Sequence, residues 1–182
     1  MENHSDIWFD EIVLGDYIDV SARGYGGSHS YQYAILYKKK TEKKWTVAQD
    51  YSDNNSVCIR PAKATDYDIC VKVKDSNGDI AKKYFTVKVN PKLKNTSVIS
   101  AATIRKGSTV TVTGSATGGM GNYQYSVLYK KKSESKWTLK QDYQENSKIV
   151  IKPCKNTDYD ICIKVKDNND TVSKKYFSVA VK

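Results

Sequence analysis

Few side chains in this sequence could carry out covalent chemistry. Histidine occurs twice, at His4 and His29, and both lie in the N-terminal half. A serine or cysteine nucleophile in the C-terminal half would therefore have no imidazole base. Two carboxylate pairs, Asp66/Asp68 and Asp158/Asp160, are of the right type for general acid–base work. Each pair flanks a tyrosine in Thr-Asp-Tyr-Asp, where aspartate commonly bonds turn backbone, so the structural reading is preferred. Asp75-Ser-Asn77-Gly-Asp79 places oxygens at alternate residues, like the opening of an EF-hand calcium loop. Its glycine falls at the fourth position instead of the sixth, and no glutamate follows at the twelfth. A polar turn explains this stretch and Asp167-Asn-Asn-Asp-Thr171 alike. No enzyme activity, metal or cofactor is expected.

Aromatic residues offer more. The chain has 14 tyrosines and 3 tryptophans, and an aromatic ring is a platform on which the apolar face of a sugar can stack. Trp45 and Trp137 each follow a lysine-rich stretch, Lys38-Lys39-Lys40 and Lys130-Lys131-Lys132, and Tyr51 and Tyr143 come six residues later. If the chain binds a polymer, Trp45, Trp137, Tyr51 and Tyr143 are the candidates for stacking. Lys130, Lys131 and Lys132 are then the candidates for its acidic groups. The alternative is packing, with each tryptophan covering a sheet edge half-buried against strand neighbours. The formal net charge of +10 belongs wholly to residues 91–182, with 17 Lys/Arg against 7 Asp/Glu, since residues 1–90 carry 13 of each. A basic domain attracts polyanions in general. Arginine occurs only three times and no nucleic-acid-reading motif is present, so specific nucleic-acid binding is not expected.

Such side chains need a scaffold, and the sequence supplies one twice. Tyr31-Gln-Tyr-Ala-Ile-Leu-Tyr-Lys-Lys-Lys40 returns 92 positions later as Tyr123-Gln-Tyr-Ser-Val-Leu-Tyr-Lys-Lys-Lys132. Between 31–89 and 123–181, 36 of 59 positions are identical without a gap. A repeat of this length is a whole domain, which sets the boundaries at 1–90 and 91–182, with Asn90-Pro-Lys-Leu-Lys-Asn95 as a short seam. Period-two alternation places Tyr67, Ile69, Val71 and Val73 on one face, and Phe85, Val87 and Val89 opposite Tyr84, Thr86 and Lys88. In the second copy strands are expected near 98–104, 109–116, 123–130, 136–142, 148–152, 158–166 and 172–181. Seven short strands per copy and no helical periodicity predict two tandem Greek-key β-sandwiches. Of the four cysteines only Cys70 and Cys162 are equivalent, so a disulfide inherited with the duplication is ruled out and free thiols are expected.

Pro61…Thr65-Asp-Tyr-Asp-Ile-Cys-Val-Lys-Val73 resembles the tyrosine-corner strand of fibronectin type III and related immunoglobulin-like domains. Tyr33-Ala-Ile-Leu-Tyr-Lys-Lys-Lys…Trp45-Thr is similar to their third strand and the hairpin after it. The tryptophan typical of their second strand is absent, with Val20 and Val112 in that region. Over nearly its full length each copy resembles the tyrosine-rich immunoglobulin-like repeats of extracellular proteins of gut Firmicutes. That resemblance implies a secreted or cell-surface location, although Met1-Glu-Asn-His opens no signal peptide and no apolar run is long enough to span a membrane. It also implies a monomeric spacer or display module that holds a cell-wall polymer or polysaccharide. The alternative is protein–protein adhesion, with another surface protein as partner.

Overall fold

The computed structural model describes residues 1–182, and they form two compact units, Met1–Pro91 and Lys92–Lys182. The strands of the first are β1 (Glu2–Asn3), β2 (Asp6–Ile7), β3 (Glu11–Val13), β4 (Ile18–Ser21), β5 (Gly24–Tyr25), β6 (Tyr31–Lys39), β7 (Thr46–Ser52), β8 (Ser56–Ile59), β9 (Tyr67–Asp75) and β10 (Ile80–Asn90). Those of the second are β11 (Lys94–Asn95), β12 (Val98–Ile99), β13 (Thr103–Ile104), β14 (Val110–Thr113), β15 (Ala116–Thr117), β16 (Gln124–Lys131), β17 (Thr138–Gln144), β18 (Lys148–Ile151), β19 (Tyr159–Lys166) and β20 (Val172–Val181). No helix is long and apolar enough to cross a membrane.

In the first unit a five-stranded sheet in the order β3-β10-β9-β6-β7 faces a three-stranded sheet β2-β4-β8, and the second unit repeats this as β13-β20-β19-β16-β17 and β12-β14-β18. Each unit is thus a Greek-key sandwich of two sheets enclosing one core. The alternation puts Ile35, Ile69, Val71, Val73 and Val87 between the sheets, all fully buried, with Ile18 and Val20 facing them from the small sheet. Burying one such side chain stabilises the fold by about 1.5–3 kcal/mol. At the centre, Ile35 pairs across strands with Val71, and the equivalent pair in the second unit is Val127 with Ile163. The two residue types have exchanged strands, so the volume of the pair is unchanged.

Both ends of the central strand β9 are fastened. At its start the buried Tyr67 hydroxyl accepts the Lys63 backbone N–H at 3.2 Å, and Tyr159 does the same with Lys155 at 3.3 Å. At its end the buried Asp75 carboxylate accepts backbone N–H groups from Ser28, Asn77 and Asp79 at 3.0–3.2 Å. Asp167 accepts the same set from Met120, Asn169 and Thr171. The calcium-like spacing is therefore a turn whose acid is already saturated by amides. Gly27 and Gly119 lie against these carboxylates with φ of 72° and 68°, and a Cβ at either would collide with an Asp75 or Asp167 oxygen.

Two details depart from the alternation pattern. The leading strand expected over 98–104 is broken into β12 and β13, because β12 pairs with β14 of the small sheet whereas β13 runs parallel to β20 of the large one. Asn95 anchors the approach, donating from Nδ2 to the carbonyls of Ile163 and Ser173. The second departure is that Ala34, Cys70, Ser126 and Cys162 point away from the core and are nevertheless buried.

Burial raises the Asp75 carboxyl, but the N–H bonds from Ser28, Asp79 and Asn77 outweigh it and hold the pKa below its ordinary value. Such a group stabilises the fold fully above its unfolded pKa, near 3.9, and loses that contribution as pH falls through the lower folded value. We predict that acidification below about pH 4 weakens the first unit, and that Asp75→Asn lowers its stability at neutral pH and flattens this acid limb in urea titrations. Gly119→Ala is expected to destabilise the second unit by about 1–3 kcal/mol in the same assay.

Candidate functional site

The outer face of the five-stranded sheet gathers the side chains that could meet a ligand. From β10 come Lys82, Tyr84 and Thr86; from β9 come Asp68, Cys70, Lys72 and Lys74; from β6 come Leu36 and Lys38. Cross-strand register aligns them in rows: Thr86 beside Asp68 and Lys38, Tyr84 beside Cys70, Leu36 and Val47, and Lys82 beside Lys72. The hairpin before β7 is closed by the Glu42 N–H to Lys39 carbonyl bond and the 2.7 Å Lys39–Glu42 ion pair. It delivers Trp45 onto this face. The indole lies 6.3 Å from the Tyr84 ring, tilted by 50°, with Lys38 Nζ 5.2 Å from its centroid. Lys38 is also paired with Asp68 at 2.7 Å, and Thr86 donates to the same carboxylate. The Lys38 hydrogen bond foremost, aided by Thr86, holds the Asp68 carboxyl below its ordinary range.

The second unit rebuilds the arrangement. Trp137 and Tyr176 are 6.2 Å apart at 54°, Lys130 sits 5.4 Å from the indole and 3.6 Å from Asp160, and Ser178 donates to Asp160 at 2.9 Å. A depression of about 210 Å³ is lined by Trp137, Tyr176, Leu128, Cys162, Lys164 and Lys174. Tyr84 and Tyr176 are 61% and 62% exposed, whereas Cys70 and Cys162 beneath them are 4% and 3% exposed. The rings and the lysine stems therefore roof the thiols, which explains their burial on the outward side.

Of the residues singled out by sequence, Trp45 and Trp137 lie at the centre of this face, half-buried. Tyr51 and Tyr143 lie further along the edge strand, where two β-bulges set six residues of that strand against four of its neighbour, and Lys74 and Lys166 of the same face stand over their rings at 4.4 and 5.1 Å. The lysine triplet divides: Lys130 is on this face, Lys131 turns to the opposite side and pairs with Glu134 at 2.6 Å, and Lys132 is exposed beyond the strand. Asp66 and Asp68 serve separate lysines, Lys40 and Lys38, and do not converge. The partners that the sequence reading left out are Tyr84 and Tyr176. Their placement opposite Phe85 and Phe177 was the available signal.

The duplication tests each surface against its twin. On the outer face of the large sheet Leu36/Leu128, Lys38/Lys130, Asp68/Asp160, Cys70/Cys162, Lys72/Lys164, Lys74/Lys166, Lys82/Lys174 and Tyr84/Tyr176 are identical, as are the two tryptophans, whereas Ala34/Ser126, Val47/Leu139, Ile80/Val172, Thr86/Ser178 and Lys88/Ala180 differ. On the outer face of the small sheet Asp6/Val98, Asp19/Thr111, Ser21/Thr113, Ser56/Lys148 and Cys58/Val150 all differ. The kept face is also the better packed of the two: Trp45, Lys38 and Asp68 are half-buried and Cys70 is buried, whereas Asp6, Ser21, Ser56 and Cys58 are exposed. Its exposed shared members, Lys82 and Tyr84, are the ones that folding constrains least.

The strand order and the fastened tyrosine define an immunoglobulin-like, fibronectin type III-like sandwich. No protein-family model and no curated protein matches the sequence. Among solved structures, the fibronectin(III)-like modules of CbhA from Clostridium thermocellum are similar at 15% identity and a TM-score of 0.43, over 98% of this chain and 94% of that one. A calcium-stabilised, ice-binding adhesin of an Antarctic bacterium is similar at 18% identity and 0.48, over 98% of this chain and 48% of that one. A three-domain titin fragment is similar at 11% identity and 0.49, over all of this chain and 66% of that one.

Burial pushes the Cys162 thiol pKa up, against the pull of Tyr176, Lys164 and Lys174. With a thiol-specific disulfide reagent, the exposed Cys58 and Cys154 are expected to react at once and Cys70 and Cys162 slowly. Trp137→Ala should speed labelling of Cys162 by roughly tenfold or more, read by mass mapping. An unchanged rate would mean that the indole is not the roof.

Proposed function

We propose that the chain is a non-catalytic tandem module of a bacterial surface or secreted protein, which spaces or displays a neighbouring region and holds a cell-wall polymer or polysaccharide. The outer face of the five-stranded sheet in each unit is the contact surface. The observation that carries this reading is that the tryptophan–tyrosine pair and the lysines around it on that face are the same in both copies, set against the divergence of the small sheet's outer face. Its chemistry supports the same reading. A tilted tryptophan–tyrosine pair with an exposed tyrosine ring offers the flat apolar surface on which a sugar ring stacks. Two copies of one weak site gain avidity on a repeating polymer, which gives the duplication a physical advantage. The resemblance of the module to tyrosine-rich repeats of extracellular proteins of gut Firmicutes belongs to this reading.

Retention of the intact chain on insoluble polysaccharides and purified Gram-positive cell walls tests it. Trp45→Ala with Trp137→Ala is expected to reduce salt-resistant retention by roughly tenfold or more, with the β-sheet circular dichroism unchanged. A loss of stability without any loss of retention would leave only the spacer role. Capture of a protein partner that no glycan displaces would favour adhesion between surface proteins.

A further inference from the structure

Several lysines of the sandwich strands are already engaged. Lys38 and Lys130 pair with Asp68 and Asp160, Lys39 and Lys131 with Glu42 and Glu134, and Lys88 with Glu11. Lys83 and Lys175 donate to the carbonyls of Ser5 and Ser97. On the shared face Lys74 has only the Tyr51 ring, and four further lysines have no such partner but each other. Lys72 lies directly across from Lys82, and Lys164 directly across from Lys174, on neighbouring antiparallel strands. Like charges placed directly opposite one another weaken a sheet. No carboxylate lies within ion-pair distance to compensate, and both copies keep the arrangement unchanged.

Each lysine pair is one step along the strands from the ring row, about 7 Å at two residues. Lys174 is two residues from Tyr176, and Lys164 two from Cys162. In the second unit both lysines line the same depression as Trp137 and Tyr176. The face therefore offers an apolar ring surface with a doubled, uncompensated positive charge at a fixed offset. A polyol phosphate has the charge but no flat face, and a neutral glycan has the face but no charge. We infer that the polymer is an acidic polysaccharide whose sugar rings carry carboxylates, and that Lys72/Lys82 and Lys164/Lys174 select it. This rests on the polymer-binding reading of the same face.

The test compares polygalacturonate with its fully methyl-esterified form, which has the same sugar backbone without the charge. The intact chain is titrated with each at about 0.15 M salt, where exposed long-range charge effects are largely screened. The expected result is at least about tenfold tighter binding of the free acid. Changing all four lysines to glutamine should abolish that preference and leave the weaker binding of the ester unchanged. A control that changes Lys63, Lys106, Lys148 and Lys155, exposed residues outside this face, removes the same net charge and should keep the preference. Equal binding of both forms, lost in Trp45→Ala with Trp137→Ala, would overturn the inference and leave the polymer-binding reading standing. A preference that survives the four glutamines would overturn it as well, as would tighter binding of single-stranded oligonucleotide than of polygalacturonate. Binding of neither form would overturn the inference, and full binding by the tryptophan variants would overturn the polymer-binding reading and the inference with it.

Discussion

A β-strand can send each residue to only one of two sides, and the middle strand of the large sheet uses both sides fully. In β9, Tyr67, Ile69, Val71 and Val73 enter the core, while Asp68, Cys70, Lys72 and Lys74 face outward. A slip of one residue would bury two lysines and an aspartate. The fold guards against that slip by fastening both ends of the strand, with the Tyr67 hydroxyl at the start and the Asp75 carboxylate at the finish. Both fastenings are side chain to backbone, so they fix register and leave the outward side chains free to vary. The same outward side chains recur in the second copy as Asp160, Cys162, Lys164 and Lys166.

The same face separates two kinds of positive charge. Lys38 is held between a carboxylate and an indole, so its ammonium is largely satisfied within the chain. It orients Trp45 and has little left for a ligand. Lys72 and Lys82 have no such partner and repel each other, a cost that the sheet carries in both units. Net charge alone misses this distinction. The excess of +10 falls entirely in residues 91–182, yet the lysines of the shared face are present equally in the neutral first copy.

The sandwich was legible because alternation and turn chemistry are local properties. The period of two in 67–73 and 84–89 assigned the core faces directly, and Thr-Asp-Tyr-Asp marked the corner. What stayed hidden depended on contacts distant in the chain. Trp45 meets Tyr84 only because β9 lies between β6 and β10 and the indole leans across it. Six residues of spacing suggested Tyr51 as its companion, but the ring that meets the indole is Tyr84, and Tyr51 lies further along the edge strand beneath Lys74. The role of Asp75 depends on Ser28, 47 residues away. A leading strand that serves first one sheet and then the other has no signature in its own alternation.

Two neighbouring domains of nearly equal sequence face a hazard during folding, since a strand of one can be taken up by the other. The exchanged pair Ile35–Val71 and Val127–Ile163 acts against that error. A hybrid sandwich built from β6 and β19 would set Ile35 against Ile163, a methylene too many in a site with no spare room. The reciprocal hybrid would set Val127 against Val71 and leave a gap of the same size. Overfilling costs about 1–3 kcal/mol and a missing methylene about 0.5–1.5 kcal/mol. Each copy thus carries a steric password at its most buried point, and twin domains on one chain are biased to assemble from their own strands.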